Sequence, residues 1–169
     1  MKKRFILLLA LCLCLLCTTA AAEGAPQGLS YEARELSMPA AGVMVYVPAD
    51  MDGVEGDEEA YDLGFRFDCF NDADTFDCTL YVNDSRDMSL ADYAAFYAGR
   101  SGYAAYAAET VNGYTVMRLT GADNPNDFTV LIAGTDTDAP SAVYSLSFGC
   151  SGEADAALAN EILNTLTEY

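Results

Sequence analysis

The chain has 169 residues, with 8 Lys+Arg against 26 Asp+Glu, no His and no Trp. Lys2, Lys3 and Arg4 take three of the basic residues, so the rest of the chain sets five arginines against every carboxylate, a net charge of about −21. Beyond residue 4, a mechanism needing His or Lys as general base is excluded, and the acid excess opposes nucleic acid as a partner.

Met1–Arg4 is positive, Phe5–Cys17 is an apolar run of 13 residues, and Ala20-Ala21-Ala22 supplies small residues for cleavage. This pattern predicts a bacterial export signal over residues 1–22. The run is shorter than the roughly 20 apolar residues of a membrane span, and no later run is longer, so a secreted or extracytoplasmic protein without an integral membrane span is expected. A lipoprotein anchor on Cys17 is the alternative, although Leu16 stands where such signals carry a small residue. Residues 23–29 read as a flexible leader and residues 30–169 as a single exported domain.

Gly42–Pro48 (GVMVYVP) is apolar and β-branched, a strand that Pro48 stops. Ala49–Glu59 then holds six carboxylates, whose repulsion predicts an exposed, mobile loop. Calcium is a candidate ligand here. With Gly53 placed as the glycine of an EF-hand loop, Asp50, Asp52 and Glu59 take ligand positions three, five and twelve. Pro48 then falls at position one and the flanks read as strand, so an irregular calcium loop stands against a plain solvated acidic one.

In GFRFDCF and FDCTLYV, aromatic, aliphatic and Cys positions alternate with polar ones, predicting a hairpin with one apolar face. A turn centred on Ala73-Asp74 sets Cys69 opposite Cys78, roughly 4.5–5.5 Å apart at Cβ. With Cys12, Cys14 and Cys17 in the signal, three cysteines remain. Cys69 and Cys78 are either a disulfide or two buried thiols, and Cys150 is left over.

Ser89-Leu90-Ala91-Asp92 is a capping box with Asp for Glu, opening a helix whose buried face is Leu90, Tyr93, Ala94 and Tyr97 and which ends at Gly99–Gly102. Tyr103–Glu109 reads as a strand, and Asn112-Gly113 as a hairpin turn. Phe128–Ala133 and Ala142–Cys150 are further strands. Ser151 is placed as cap of a last helix running through Glu168, with Leu158, Ile162 and Leu166 inward. Six of the eleven tyrosines lie between Tyr81 and Tyr114. Tyr81, Tyr103, Tyr106 and Tyr114 are candidates for a ligand surface, although strand parity sets Tyr103 and Tyr106 on opposite faces.

These elements predict an α+β domain: a mostly antiparallel sheet packed with two amphipathic helices. The Val43–Pro48 strand, the SLADYAAFY helix, the Val111-Asn112-Gly113-Tyr114 hairpin and the EILNTL helix together resemble the PsbP-like superfamily of extrinsic photosystem proteins and their bacterial relatives. The resemblance spans about residues 30–168 and implies an α/β/α sandwich without known catalysis. Met51 stands where members carry Trp after the Pro, and the domain has no Lys for the photosystem proteins' basic docking surface.

The expected function is a non-catalytic exported domain without a cofactor that binds a partner protein or envelope component. The alternatives are a carbohydrate- or peptide-binding module using the tyrosines, and a carboxylate-dependent hydrolase. A flat apolar patch beside a sheet edge would favour the first; a deep pocket holding two close carboxylates would favour the last.

Overall fold

A computed structural model describes residues 24–169; the expected signal, the cleavage before Glu23 and Cys17 lie outside them. Ten strands form two sheets. Strands β1 (Ala33–Met38), β2 (Val43–Pro48) and β10 (Thr167–Glu168) make the smaller, in the order β1-β2-β10. The larger has β3 (Asp52–Glu55), β4 (Phe65–Phe70), β5 (Phe76–Asp84), β6 (Tyr103–Val111), β7 (Tyr114–Gly121), β8 (Phe128–Ile132) and β9 (Ala142–Cys150). Its order is β3-β4-β5-β9-β8-β7-β6, antiparallel throughout. The helices are α1 (Glu58–Asp62), α2 (Leu90–Ser101) and α3 (Glu153–Leu163).

The alternation read from the sequence decides which face of the large sheet is buried against what. Phe67, Cys69, Cys78, Leu80, Val130, Leu146 and Phe148 face the small sheet and α3, meeting Val43, Val45, Val47, Ile162 and Leu166 in the larger core cluster. On the opposite face, Leu90, Tyr93 and Ala94 of α2 cover Met117, Leu119, Leu131 and Val143. The fold is therefore α+β, with the large sheet between α2 and a second layer of α3 and the small sheet. Ser89 Oγ accepts from the Asp92 N–H at 3.1 Å and donates to its carboxylate at 2.8 Å, which starts α2 as the capping box predicts.

The structure corrects the sequence reading in the acidic stretch and in the last helix. The expected acidic loop carries β3 and α1. Backbone pairing of Asp52–Glu55 with Phe67–Phe70 leaves the carboxylates in water, and Asp57 caps α1 by accepting from the Ala60 N–H at 2.9 Å. The last helix ends at Leu163 and not Glu168. Thr165 Oγ1 donates to the Ile162 carbonyl and accepts from the Tyr46 N–H at 2.7 Å, turning the chain into β10. The N-cap of that helix is Gly152, while Ser151 Oγ donates to Asp155 at 2.8 Å. Leu158 is only partly buried; Ala159, Ile162 and Leu163 form the inward face.

Burial decides the charge state of one core thiol. Cys150 is pushed up to about 12 by burial, with Asp127, Asp155 and Asp77 adding repulsion. The neutral thiol's contribution to stability is complete below the ordinary thiol value near 9 and is lost as pH rises towards about 12. Melting curves should therefore show the wild type losing stability over that window more steeply than Cys150→Ala. Parallel curves would contradict the assignment.

Candidate functional site

The two edges of the large sheet differ. β3 is four residues long, fully exposed and carries Asp52 and Glu55, features that blunt an edge against further pairing. β6 is nine residues long, and Ala104–Ala108 (AAYAA) is exposed throughout. Its only charge, Glu109, is bound by Arg118 Nε at 2.7 Å. Arg118 is fixed in turn by Asn160 Oδ1 at 2.8 Å and by the Phe128 ring, 4.0 Å beneath its guanidinium. Among the described residues no further strand pairs with β6. A shallow groove of about 480 Å³ separates the strand from α2, between Ala95, Ala98, Gly99, Tyr103 and Tyr106. Another of about 240 Å³ lies along Ala105, Ala107, Glu109 and Arg118.

Asn112 and Gly113 make the edge regular. Their φ values of 49° and 91° are those of a two-residue hairpin turn, which closes on the Val111–Tyr114 pair. Hydrogen-bonded and open pairs alternate along an antiparallel ladder. With Val111 bonded to Tyr114, the N–H groups of Thr110, Ala108 and Tyr106 point away from β7. Asn112 Nδ2 also donates to the carbonyls of Asn164 at 2.7 Å and Leu166 at 3.1 Å, tying the hairpin tip to the end of α3.

The four candidate tyrosines do not form one surface. Tyr81 is on β5, edge-to-face with Phe65 at 5.4 Å. It lies four strand spacings from β6, about 19 Å at the usual spacing. Tyr114 packs against the larger core on the other face. Tyr103 and Tyr106 are not of opposite parity: a bulge between Tyr103 and Ala105 pairs them with Gly121 and Leu119, two residues apart on β7, and so on one face. Tyr103 is held there by Thr129 Oγ1 at 2.6 Å, whereas Tyr106 remains 47% exposed at the open edge.

Asp50, Asp52 and Glu59 are likewise dispersed: a bend, the exposed β3 and the first turn of α1. Among the described residues no three acidic or thiol groups gather as a metal would require, because β3 pairing directs the carboxylates into solvent. Asp68 and Asp77 lie on neighbouring strands, close enough for one carboxylate to act on the other. Burial first, then Asp68 and Asp127, push the Asp77 carboxyl up, and Asp68 accepts from Thr79 Oγ1 at 3.0 Å. Both sit on the face of the large sheet, outside the clefts beside Arg66. Those clefts, of about 460 and 420 Å³, flank an arginine already committed. Arg66 Nη1 donates to the carbonyls of Tyr61 and Phe65, both at 2.9 Å, with the Tyr61 ring 4.4 Å below. It clamps α1 to β4.

Cys69 and Cys78 stand directly opposite each other on β4 and β5, as the turn predicts. Both are free thiols, as is Cys150, and all three are buried; the register for a bridge is present and the bond is not formed.

No family model matches the chain, and no curated protein matches it. Among solved structures, one from Bacteroides thetaiotaomicron aligns over 80% of this chain and 48% of its own, at 14% identity and a TM-score of 0.44. The solution structure of cyanobacterial PsbP from Synechocystis aligns over 85% of this chain and 95% of its own, at 10% identity and a TM-score of 0.51. The chain shares its α+β fold with that PsbP protein.

Proposed function

We propose that this is a non-catalytic exported domain that captures a partner protein by taking an extended segment of it as an added strand along β6. The open edge carries the reading. It is long, uncharged over Ala104–Ala108 and free of Pro and Lys, with outward N–H groups at Tyr106, Ala108 and Thr110. Strand addition draws affinity from such main-chain groups and specificity from neighbouring pockets. The two grooves beside β6 supply the pockets, and Tyr106 supplies an aromatic anchor. A net charge of about −21 beyond the basic N-terminus favours a neutral or basic segment. An export signal over residues 1–22 would place the encounter outside the cytoplasm.

Ala108→Pro tests this. Its N–H faces away from β7, so proline removes a docking donor without removing a ladder bond, and edge strands tolerate proline at such positions. Peptides selected from a random display library against the wild type should lose about tenfold or more in affinity for Ala108→Pro, at least about 1.4 kcal/mol. Its melting temperature should stay close to the wild type. Equal affinity for both proteins would refute docking at this edge.

A further inference from the structure

Beneath β3, at the far end of the sheet from β6, a half-buried arginine reaches the first of two opposed thiols. Arg34 extends from β1 over the Phe67 ring, 4.7 Å from its centroid. It also runs against Gly53, where a Cβ would collide with its guanidinium. Its Nε and Nη2 atoms are buried and have no hydrogen-bond partner, an arrangement that costs free energy until an acceptor is supplied. Gly53 is the register partner of Cys69, and Cys69 of Cys78. Neither sulfur side chain is exposed.

We propose that Cys69 and Cys78 form a redox-active dithiol, with Cys69 as the attacking thiolate, Cys78 as the resolving thiol and Arg34 as the residue that holds the thiolate. A thiolate on Cys69 is the anion the Arg34 donors lack. The groups around the pair agree with this assignment. The Cys78 thiol and then the Arg34 guanidinium draw the Cys69 thiol down, against burial and Asp68. Cys78 is driven up by Cys69, by burial and by Asp77 and Asp68, and Tyr31 also lies within reach of its charge. Reaction requires access to the buried Cys69, and β3, the short exposed edge strand paired with β4, is the element that would have to move aside.

The reaction partner is a low-molecular-weight disulfide. Cys69 Sγ attacks one of its sulfurs, forming a mixed disulfide and expelling one thiolate. Cys78 then gives up its proton and attacks Cys69 Sγ, closing the Cys69–Cys78 bond and expelling the second. Two protein thiols are oxidised and one disulfide is reduced to two thiols. Closing the bond removes the anion beside Arg34, so the dithiol is favoured and the bridge is reducible.

The test uses the chain without the expected export signal, residues 23–169, in mixtures of reduced and oxidised glutathione, with trapping and peptide mass spectrometry. Oxidised glutathione should yield a product two hydrogens lighter, bridged between Cys69 and Cys78 with Cys150 still free. Arg34→Gln should form it about tenfold more slowly at neutral pH, the effect of one pKa unit, and should hold the bridge at more reducing ratios. Cys78→Ser, which keeps Arg34, should accumulate glutathione on Cys69, so the outcome does not depend on Arg34→Gln folding well. Three free thiols in excess oxidised glutathione, a bridge through Cys150, or a Cys78→Ser protein without the Cys69 adduct would each overturn the proposal. So would an Arg34→Gln protein with wild-type melting, rate and equilibrium.

Discussion

Phe148→Ala should lower the free energy of unfolding by about 3–5 kcal/mol, the usual cost of truncating a buried phenylalanine. Phe148 is 2% exposed on β9, a strand paired on both sides. Its ring lies 4.9 Å from Phe128 and 6.3 Å from Phe76, and its register partners are Cys78 and Phe128. Three strands therefore lose packing at once, and β-sheet neighbours move too little to fill the space. Domains of this size are stable by about 5–15 kcal/mol, so the variant gives up a large share of that. With no Trp in the chain, a urea titration followed by tyrosine fluorescence should show the midpoint falling with little change in slope. A loss below about 1 kcal/mol would mean that this ring does not close the core.

Gly134→Ala should cost about 2–3 kcal/mol for a single methyl group at a buried turn position. Gly134 follows β8 with φ 73°, in the left-handed region where a Cβ is penalised. A Cβ there would also run into the carbonyl of Ala41, in the 3₁₀ turn Pro39–Ala41 that joins β1 to β2. The obstacle is backbone on both sides, so no side chain can rotate away. The small sheet is positioned against the large one at this contact, alongside the Ala40 N–H donating to Tyr144 Oη at 3.2 Å. The melting temperature should fall by roughly 4–12 °C, and an unchanged value would show that the turn yields freely.

What could be read from the sequence was what local chemistry decides. The Cys69/Cys78 register follows from a short turn, the start of α2 from Ser89 and Asp92, and the β6–β7 hairpin from Asn112-Gly113. What escaped depends on distant partners. ARELSM in β1 is built largely of helix-favouring residues, yet Leu36 pairs with Val45 and Met38 with Val43 because β2 lies beside it. β3 hides within an acidic stretch because its pairing uses backbone and not side chains. The end of α3 is set by Thr165 meeting Tyr46, more than a hundred residues earlier in the chain.

The site follows the same division. The alanine run between Tyr103 and Glu109 was visible, but that β6 is an outer strand follows from the order of all seven strands. The bulge that turns Tyr103 and Tyr106 to one face has no signal in an alternation of Tyr and Ala. Arg34 could not be linked to Cys69 from sequence, because the two meet across different sheets.

Amide hydrogen exchange by NMR, on the domain with and without a library-selected peptide, tests the docking edge most directly. Strand addition predicts new protection at the N–H groups of Tyr106, Ala108 and Thr110, which face solvent in the free domain. Ala107, Glu109 and Val111, already bonded to β7, should change little. Protection confined to another surface, such as the clefts beside Arg66, with those three amides exchanging as before, would contradict the assignment of β6 as the binding strand.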